Sequence, residues 1–421
     1  MVRTSKRQQV INRVDEITDA AAKQYYTSQL LGVYSPRAEE ILVRLKKIQK
    51  CLANSRYLFR SGYRKREPKF AKYLDEHHID GLNDREFKFH FRMSRECYWQ
   101  LVELIKDHSS FSRRSSDSRG STPRPAEQQL LVLLKYYGSD GNASSSYSLG
   151  NFFGISSGAV DTCRYAALEA VLSLEERTYF WPPPEERKLI SKRIKEAYLF
   201  PKCVGIIDGT LLPLASRPLL HGETYLSRKR YYALVMLVVC DDQSRILYYH
   251  VGWPGSVHDN RVWRTCRLYR HWEEMFSPRE YLLGDSAFTA SDIMIPPFKS
   301  TPGCELPSNF IAFNTLLAKP RVKSEHCIGI LKGRFPFLKG IRMILGCKGH
   351  LKRIVDHVRG SVVLHNFLIA DPIDTEWIES GEEGADDLEP EGIANQSNKP
   401  DNKRREELLY YLSELEETAI N

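Results

Sequence analysis

Val204-Gly205-Ile206-Ile207-Asp208-Gly209-Thr210 decides how the second half of this chain folds: a short apolar run of the kind that forms a buried strand, ended by a carboxylate and a glycine. Tyr281-Leu282-Leu283-Gly284-Asp285-Ser286-Ala287-Phe288 repeats the arrangement, with Asp285 following the apolar residues. A third acid, Glu325 in Arg321-Val322-Lys323-Ser324-Glu325-His326-Cys327, lies on a helical pattern. Carboxylates placed in this way can converge at a sheet edge. Three of them in one cleft repel one another unless hard divalent cations sit between them, and such ions clamp the attacking and leaving oxygens in phosphoryl transfer. The three acids therefore point to a metal-dependent nuclease.

Outward from these acids, residues 203–207, 231–240, 246–251 and 281–283 read as strands. The polar turn Asp241-Asp242-Gln243-Ser244 makes the second and third an antiparallel pair. Residues 261–272 and 319–335 carry helical spacing, so the order strand, strand, strand, helix, strand, helix gives a mixed α/β layer fold for residues 185–370.

Upstream the texture is helical. A first segment, residues 1–64, shows Ile41, Leu42, Leu45, Ile48 and Leu52 at three- and four-residue steps. A second region, residues 65–184, contains a Ser/Arg-rich break from 109 to 124 whose arginines suit either a solvated hinge or a phosphate backbone. Beyond it, Gly154-Ile155-Ser156 separates two helical runs as a helix-turn-helix requires. The second run, 157–174, offers Arg164 either to DNA or to ordinary packing. Trp181-Pro182-Pro183-Pro184 then stops the helices and marks an expected domain boundary. The last segment, 371–421, opens with acids and regains helical spacing through Leu408, Leu409, Leu412 and Leu415, a stripe suited to self-association, to a partner helix or to folding back on the body.

Of 421 residues 42% are hydrophobic, enough for a sizeable core, and the formal charge is +8. Residues 371–391 contain acids and no Lys or Arg, so the preceding body is more basic than the total suggests and favours a polyanionic partner. The nine cysteines are scattered without a C-x-x-C pair, and the start Met1-Val2-Arg3-Thr4 is not an apolar signal, which together imply reduced thiols in the nucleus or cytoplasm. The longest apolar run, 233–240, is too short to span a bilayer, so no membrane role is expected.

The phrases Ile207-Asp208-Gly209-Thr210, Gly252-Trp253-Pro254-Gly255-Ser256-Val257-His258-Asp259-Asn260-Arg261, Leu283-Gly284-Asp285-Ser286-Ala287-Phe288 and Glu325-His326-Cys327-Ile328-Gly329 occur in this order within residues 207–329. The set resembles the transposase of PIF/Harbinger elements and the nucleases derived from it. The resemblance implies an RNase H-like mixed sheet with flanking helices, preceded by an all-α helix-turn-helix region. It also implies a catalytic triad of Asp208, Asp285 and Glu325 holding Mg2+ or Mn2+, cleavage and joining of duplex DNA in the nucleus, and action beside a Myb-like DNA-binding protein. Asp259 competes with Asp285 for the second position; it follows a Gly/Pro/Ser loop, where an acid more often caps a helix, so Asp285 is preferred. His326 stands where the family commonly has Arg. Arg321 and Lys332 share a face with Glu325 and suit the DNA backbone or plain solvation, and Arg228, Lys229 and Arg230 before Tyr231 offer a similar basic edge. The alternative function is a host protein of transposase descent that binds DNA or chromatin partners without cutting.

Overall fold

The computed structural model describes residues 6–33, 35–54, 78–112, 123–178, 181–300, 305–379 and 403–420. Arg113, Arg114 and Arg119 of the Ser/Arg-rich break, Cys304, and the stretch 380–402 lie outside the described residues. The chain divides into two compact units, 1–69 and 70–421. In the first, helices Lys6–Leu30 and Pro36–Asn54 pack on each other around Leu42, with Gln49 donating to Asp15 at 2.6 Å.

The second unit is built on one five-stranded sheet: β1 (Cys203–Pro213), β2 (Ala233–Cys240), β3 (Ile246–Pro254), β4 (Tyr281–Leu283) and β5 (Met294–Ile295). Its order is β3-β2-β1-β4-β5. The first three strands run antiparallel, and β4 and β5 run parallel to β1. This mixed sheet with helices on its faces is the RNase H-like architecture expected. All eight residues of β2 are buried, each Val or Leu contributing about 1.5–3 kcal/mol by leaving water.

The helical region packs directly onto the sheet. Phe87, Phe91, Tyr98 and Leu130 to Leu134 share one core with Leu212 of β1, Leu234, Met236 and Val238 of β2, and Phe335 and Phe337. A buried ion pair, Arg334 Nη1 to Asp371 Oδ2 at 3.1 Å, joins the same layers, and Asp371 also accepts from Ser94 N. Truncating either partner of such a pair costs about 3–5 kcal/mol, because the other charge stays buried. The proline run at 181–184 therefore lies inside the second unit.

Gly154, at φ 56°, ends the Ser146–Phe153 helix in the left-handed conformation that glycine tolerates, and Ser156 accepts from Ala159 N to start the Ser157–Leu172 helix. The turn is as read, but the second helix is a core element. Of the two roles read for Arg164, DNA contact or packing, the structure shows packing: it is 7% exposed, pairs with Asp161 at 3.2 Å and lies 4.4 Å from the Tyr136 ring centroid. The Ala126–Tyr137 and Lys348–Phe367 helices pack against this helix.

Three further elements differ from the sequence reading. The helix expected at 261–272 is three short pieces, Asp259–Trp263, Arg267–Arg270 and Trp272–Met275; Thr265 Oγ1 turns back onto Val262 O and Arg267 N donates to Tyr248 OH. The last long helix starts at Ser308, well before 319, and runs through Pro320, because Phe313 and Leu317 pack against Ile190 and Ile194. The C-terminal helix Lys403–Ile420 folds back on the body, burying Leu408 and Leu412 in that same cluster.

His357, on the Lys348–Phe367 helix, is fully buried among Tyr136, Tyr137 and Phe337. Burial, reinforced by the Arg164 charge, holds its imidazole well below the usual pKa. An unfolded chain binds a proton at about pH 6.5 that this folded state refuses, so stability is present above that pH and is lost as pH falls through it. His90, pushed down to about 4 by burial and by Lys135, acts in the same direction. The limb of the thermal-unfolding profile between about pH 7 and pH 5 should therefore differ between the parent and His357→Leu, the parent losing stability relative to the variant as pH falls. An unchanged limb in the variant would contradict a buried neutral imidazole.

Candidate metal centre at the sheet edge

Strand register brings the first two acids together. β1 and β4 are parallel neighbours with Ile206 opposite Leu283, and Asp208 and Asp285 each stand two residues further on. β4 ends at Leu283 while β1 continues, so the two carboxylates meet where the sheet opens beyond the carboxyl end of β4, the place where open α/β sheets hold ligands. Asp208 pairs with Val238 of β2 and shares the sheet face covered by the Ser308–Arg334 helix.

Gly209 faces the other way and admits a third acid. A Cβ at Gly209 would lie 2.3 Å from Asp259 Oδ2, so only glycine lets that carboxylate approach β1 this closely. Asp259 is the first residue of the Asp259–Trp263 helix, not its N-cap, which is His258. The following residue ties two acid-bearing loops together: Asn260 Nδ2 donates to Thr289 Oγ1 at 2.7 Å, and Thr289 N donates to Asn260 Oδ1 at 3.2 Å. The sequence reading missed this clamp, because neither residue type signals a contact across 29 positions.

Electrostatics follow from that crowding. Burial, with the Asp285 charge adding to it, pushes the Asp208 carboxyl up to about 7, against the pull of Arg321. Burial and Asp285 push Asp259 up to about 6, with Arg228 opposing. Asp285 is also raised by burial, with Arg321 as its main counter-charge. Each retains only modest protein stabilisation of its charge: Asp208 Oδ1 accepts from Gly209 N at 2.7 Å and Asp285 Oδ1 from Ala287 N at 2.9 Å. Oxygen donors crowded until they hold protons near neutrality are a set that a hard divalent ion fits, since the ion replaces the proton. Among the described residues no three acids, histidines or cysteines already close into a metal-ligand cluster.

The other expected residues take distinct places. Glu325 lies on the Ser308–Arg334 helix, 46% of its side chain exposed, paired at 3.5 Å with Arg321 one turn earlier. Arg321 thus stands between Glu325 and the aspartates. Lys332 does not lie on a solvated face; its Nζ donates to Leu211 O at 2.9 Å. Arg228 and Arg230 are exposed and Lys229 is half-buried on the connection before β2.

Residues 207–366 match the family described as DDE superfamily endonuclease, which covers the segment that carries all four acids. The chain is 25% identical to "Protein ALP1-like" of Arabidopsis thaliana over 305 residues, 68% of this chain and 71% of that protein. It is 28% identical to "Putative nuclease HARBI1" of Rattus norvegicus over 227 residues, 53% of this chain and 62% of that protein, under two thirds of its length. With the protein of the same name from Xenopus laevis it shares 25% identity over 321 residues, 76% of this chain and 86% of that protein. No solved structure matches the chain significantly. The 207–366 segment thus matches DDE superfamily endonucleases, and the resemblance drawn from four motifs is borne out.

Two expected outcomes follow from the geometry. A carboxyl raised from 3.8 to about 7 destabilises the metal-free fold as pH rises through that interval, so Asp208→Asn should raise metal-free stability at pH 8 by up to roughly 4 kcal/mol and change little at pH 4. Denaturant melts in EDTA at both pH values measure it, and equal effects at the two would contradict the raised carboxyl. Asn260→Ala should weaken Mn2+ affinity by about 10–100-fold while changing stability by no more than about 1–2 kcal/mol, because it frees two acid-bearing loops. Titration calorimetry checks it, and unchanged affinity would leave the clamp without influence on the site.

Proposed function

We propose that this chain is a metal-dependent DNA endonuclease of the transposase type, with Asp208, Asp285 and Glu325 as its triad and Asp259 as a further ligand. The observation that carries the reading is the placement of Asp208 and Asp285 at equivalent positions on adjacent parallel strands, inside the segment that matches DDE superfamily endonucleases. A divalent ion, Mg2+ or Mn2+, supplies the positive charge that offsets charge developing on a phosphodiester. The chain's own residues set the stage for it. Asp208 is fixed by β1, Asp285 by the turn after β4, and Glu325 is delivered from the helix by exchanging its contact with Arg321 for the site. Arg321, released in that exchange, stays beside the aspartates and can hold a phosphate oxygen.

The substrate in this reading is duplex DNA, with water as nucleophile for cleavage and a DNA 3′ hydroxyl for joining, which places the protein in the nucleus. Among the described residues no helix is long and apolar enough to cross a membrane. Leu408 and Leu412 of the C-terminal helix are used within the chain, and a Myb-like partner or a second copy remains part of this reading.

Asp285→Asn and Glu325→Gln should each remain folded, bind duplex DNA within about twofold of the parent, and lose at least roughly 100-fold in Mn2+-dependent cleavage of a supercoiled plasmid. Cleavage retained in Asp285→Asn, with loss only in Asp259→Asn, would transfer the second triad position to Asp259. A parent that binds duplex but never cuts with either metal would replace the nuclease with a DNA-binding protein of the same descent.

A further inference from the structure

A cleft of about 180 Å3 is lined by Asp259 and, through Gly209, reaches the residue next to Asp208. Asp259 and Gly209 line it together with Arg228, Lys229 and Lys332, Arg228 close enough to act as a counter-charge to Asp259. These cations come from separate parts of the chain. Ser227 N donates to Tyr231 O at 2.9 Å and Arg230 N to Ser227 O at 3.0 Å, closing a tight turn in which Arg230 takes φ 62°. That turn presents Arg228 and Lys229 to the cleft while Arg230 lies outside it. Lys332 reaches the cleft from the long helix and is held there by Leu211 O, which engages one of its three ammonium protons.

Such convergence is costly for the empty protein. Burial, followed by the charges of Lys229 and Lys339, lowers the Lys332 pKa to about 8. An anion in the cleft removes that repulsion, and an anion that is also a chain continues past Gly209 towards Asp208 and Asp285. A strand of nucleic acid meets both conditions, because its phosphates recur at a fixed interval along one backbone. Tyr231, at the same rim, gives the adjoining sugar or base an aromatic surface.

We propose that the cleft walled by Arg228, Lys229 and Lys332 is a subsite for one phosphodiester of the DNA strand, the one next to the bond that is cut. It rests on the nuclease reading and adds the position at which the strand is gripped. The phosphate is held only while all three cations face it, so the loss of any one of them removes its counterion-releasing contact and the loss of a second removes no further one.

The test is the salt dependence of binding of the full chain to a fluorescent duplex oligonucleotide in EDTA, read by anisotropy between about 50 and 200 mM NaCl. Lys229→Gln and Lys332→Gln should each flatten the slope of log affinity against log salt by about 0.9, and the double variant should flatten it by about 0.9 as well. Lys192→Gln, exposed on the Pro184–Tyr198 helix, should leave it unchanged. Should Lys332→Gln not fold, Arg228→Gln combined with Lys229→Gln gives the same comparison. Unchanged slopes in the single variants, or a double variant flattened by about 1.8, would overturn the shared subsite while leaving the nuclease reading intact. A parent that shows no binding to duplex would remove that reading and the subsite together.

Discussion

Burial of Asp208 and Asp285 side by side is the constraint on which the rest of this structure depends. Parallel pairing of β1 with β4 sets the two carboxylates at the same level, and burial denies them the water that would screen their charges. A protein optimised only for stability would replace one of them. Retaining both makes the metal-free fold less stable at neutral pH, a cost that a bound divalent ion reverses by binding only the folded state.

The surrounding architecture holds that unfavourable pair in place. The sheet is covered on one face by the long Ser308–Arg334 helix and on the other by the short helices after β3, so neither acid-bearing segment can relax outward without exposing core. Arg321 partly neutralises the aspartates, and Glu325 balances Arg321 from the solvent side. The helical region contributes through Ser94, which donates to Asp371 of the Arg334–Asp371 pair, and through Tyr136 and Tyr137, which pack on His357. The helix-turn-helix segment belongs to this support: its second helix is spent on packing, and the basic surface near the acids comes from the turn before β2 and from Lys332.

Local sequence carried much of this. Continuous apolar runs announced β1, β2, β3 and β4, but β1 continues past Asp208 to Pro213, so that of the two aspartates only Asp285 stands just beyond a strand end. What escaped depends on tertiary contacts. β5 is only two residues long and exists because β4 pairs with it. The Lys348–Phe367 helix contains Gly349 and Gly360 and lacks a side-chain N-cap, so its propensity is poor; burial of Ile354, Val358 and Val362 stabilises it instead. Pro320 hid the first half of the preceding helix for the same reason. At the site, the aspartates and glutamate were readable from their phrases. The interior position of Arg164, the approach of Asp259 to Gly209 and the Asn260–Thr289 clamp were not, since each is a meeting of residues far apart in the chain.

Anomalous diffraction from crystals of the full chain soaked in manganese chloride tests the central claim most directly. The account requires the strongest manganese peak to lie between the Asp208 and Asp285 carboxylates, within about 2.0–2.6 Å of an oxygen of each, as expected for a hard cation held by carboxylates. Manganese bound only at other surfaces, with that gap empty at saturating metal, would contradict it.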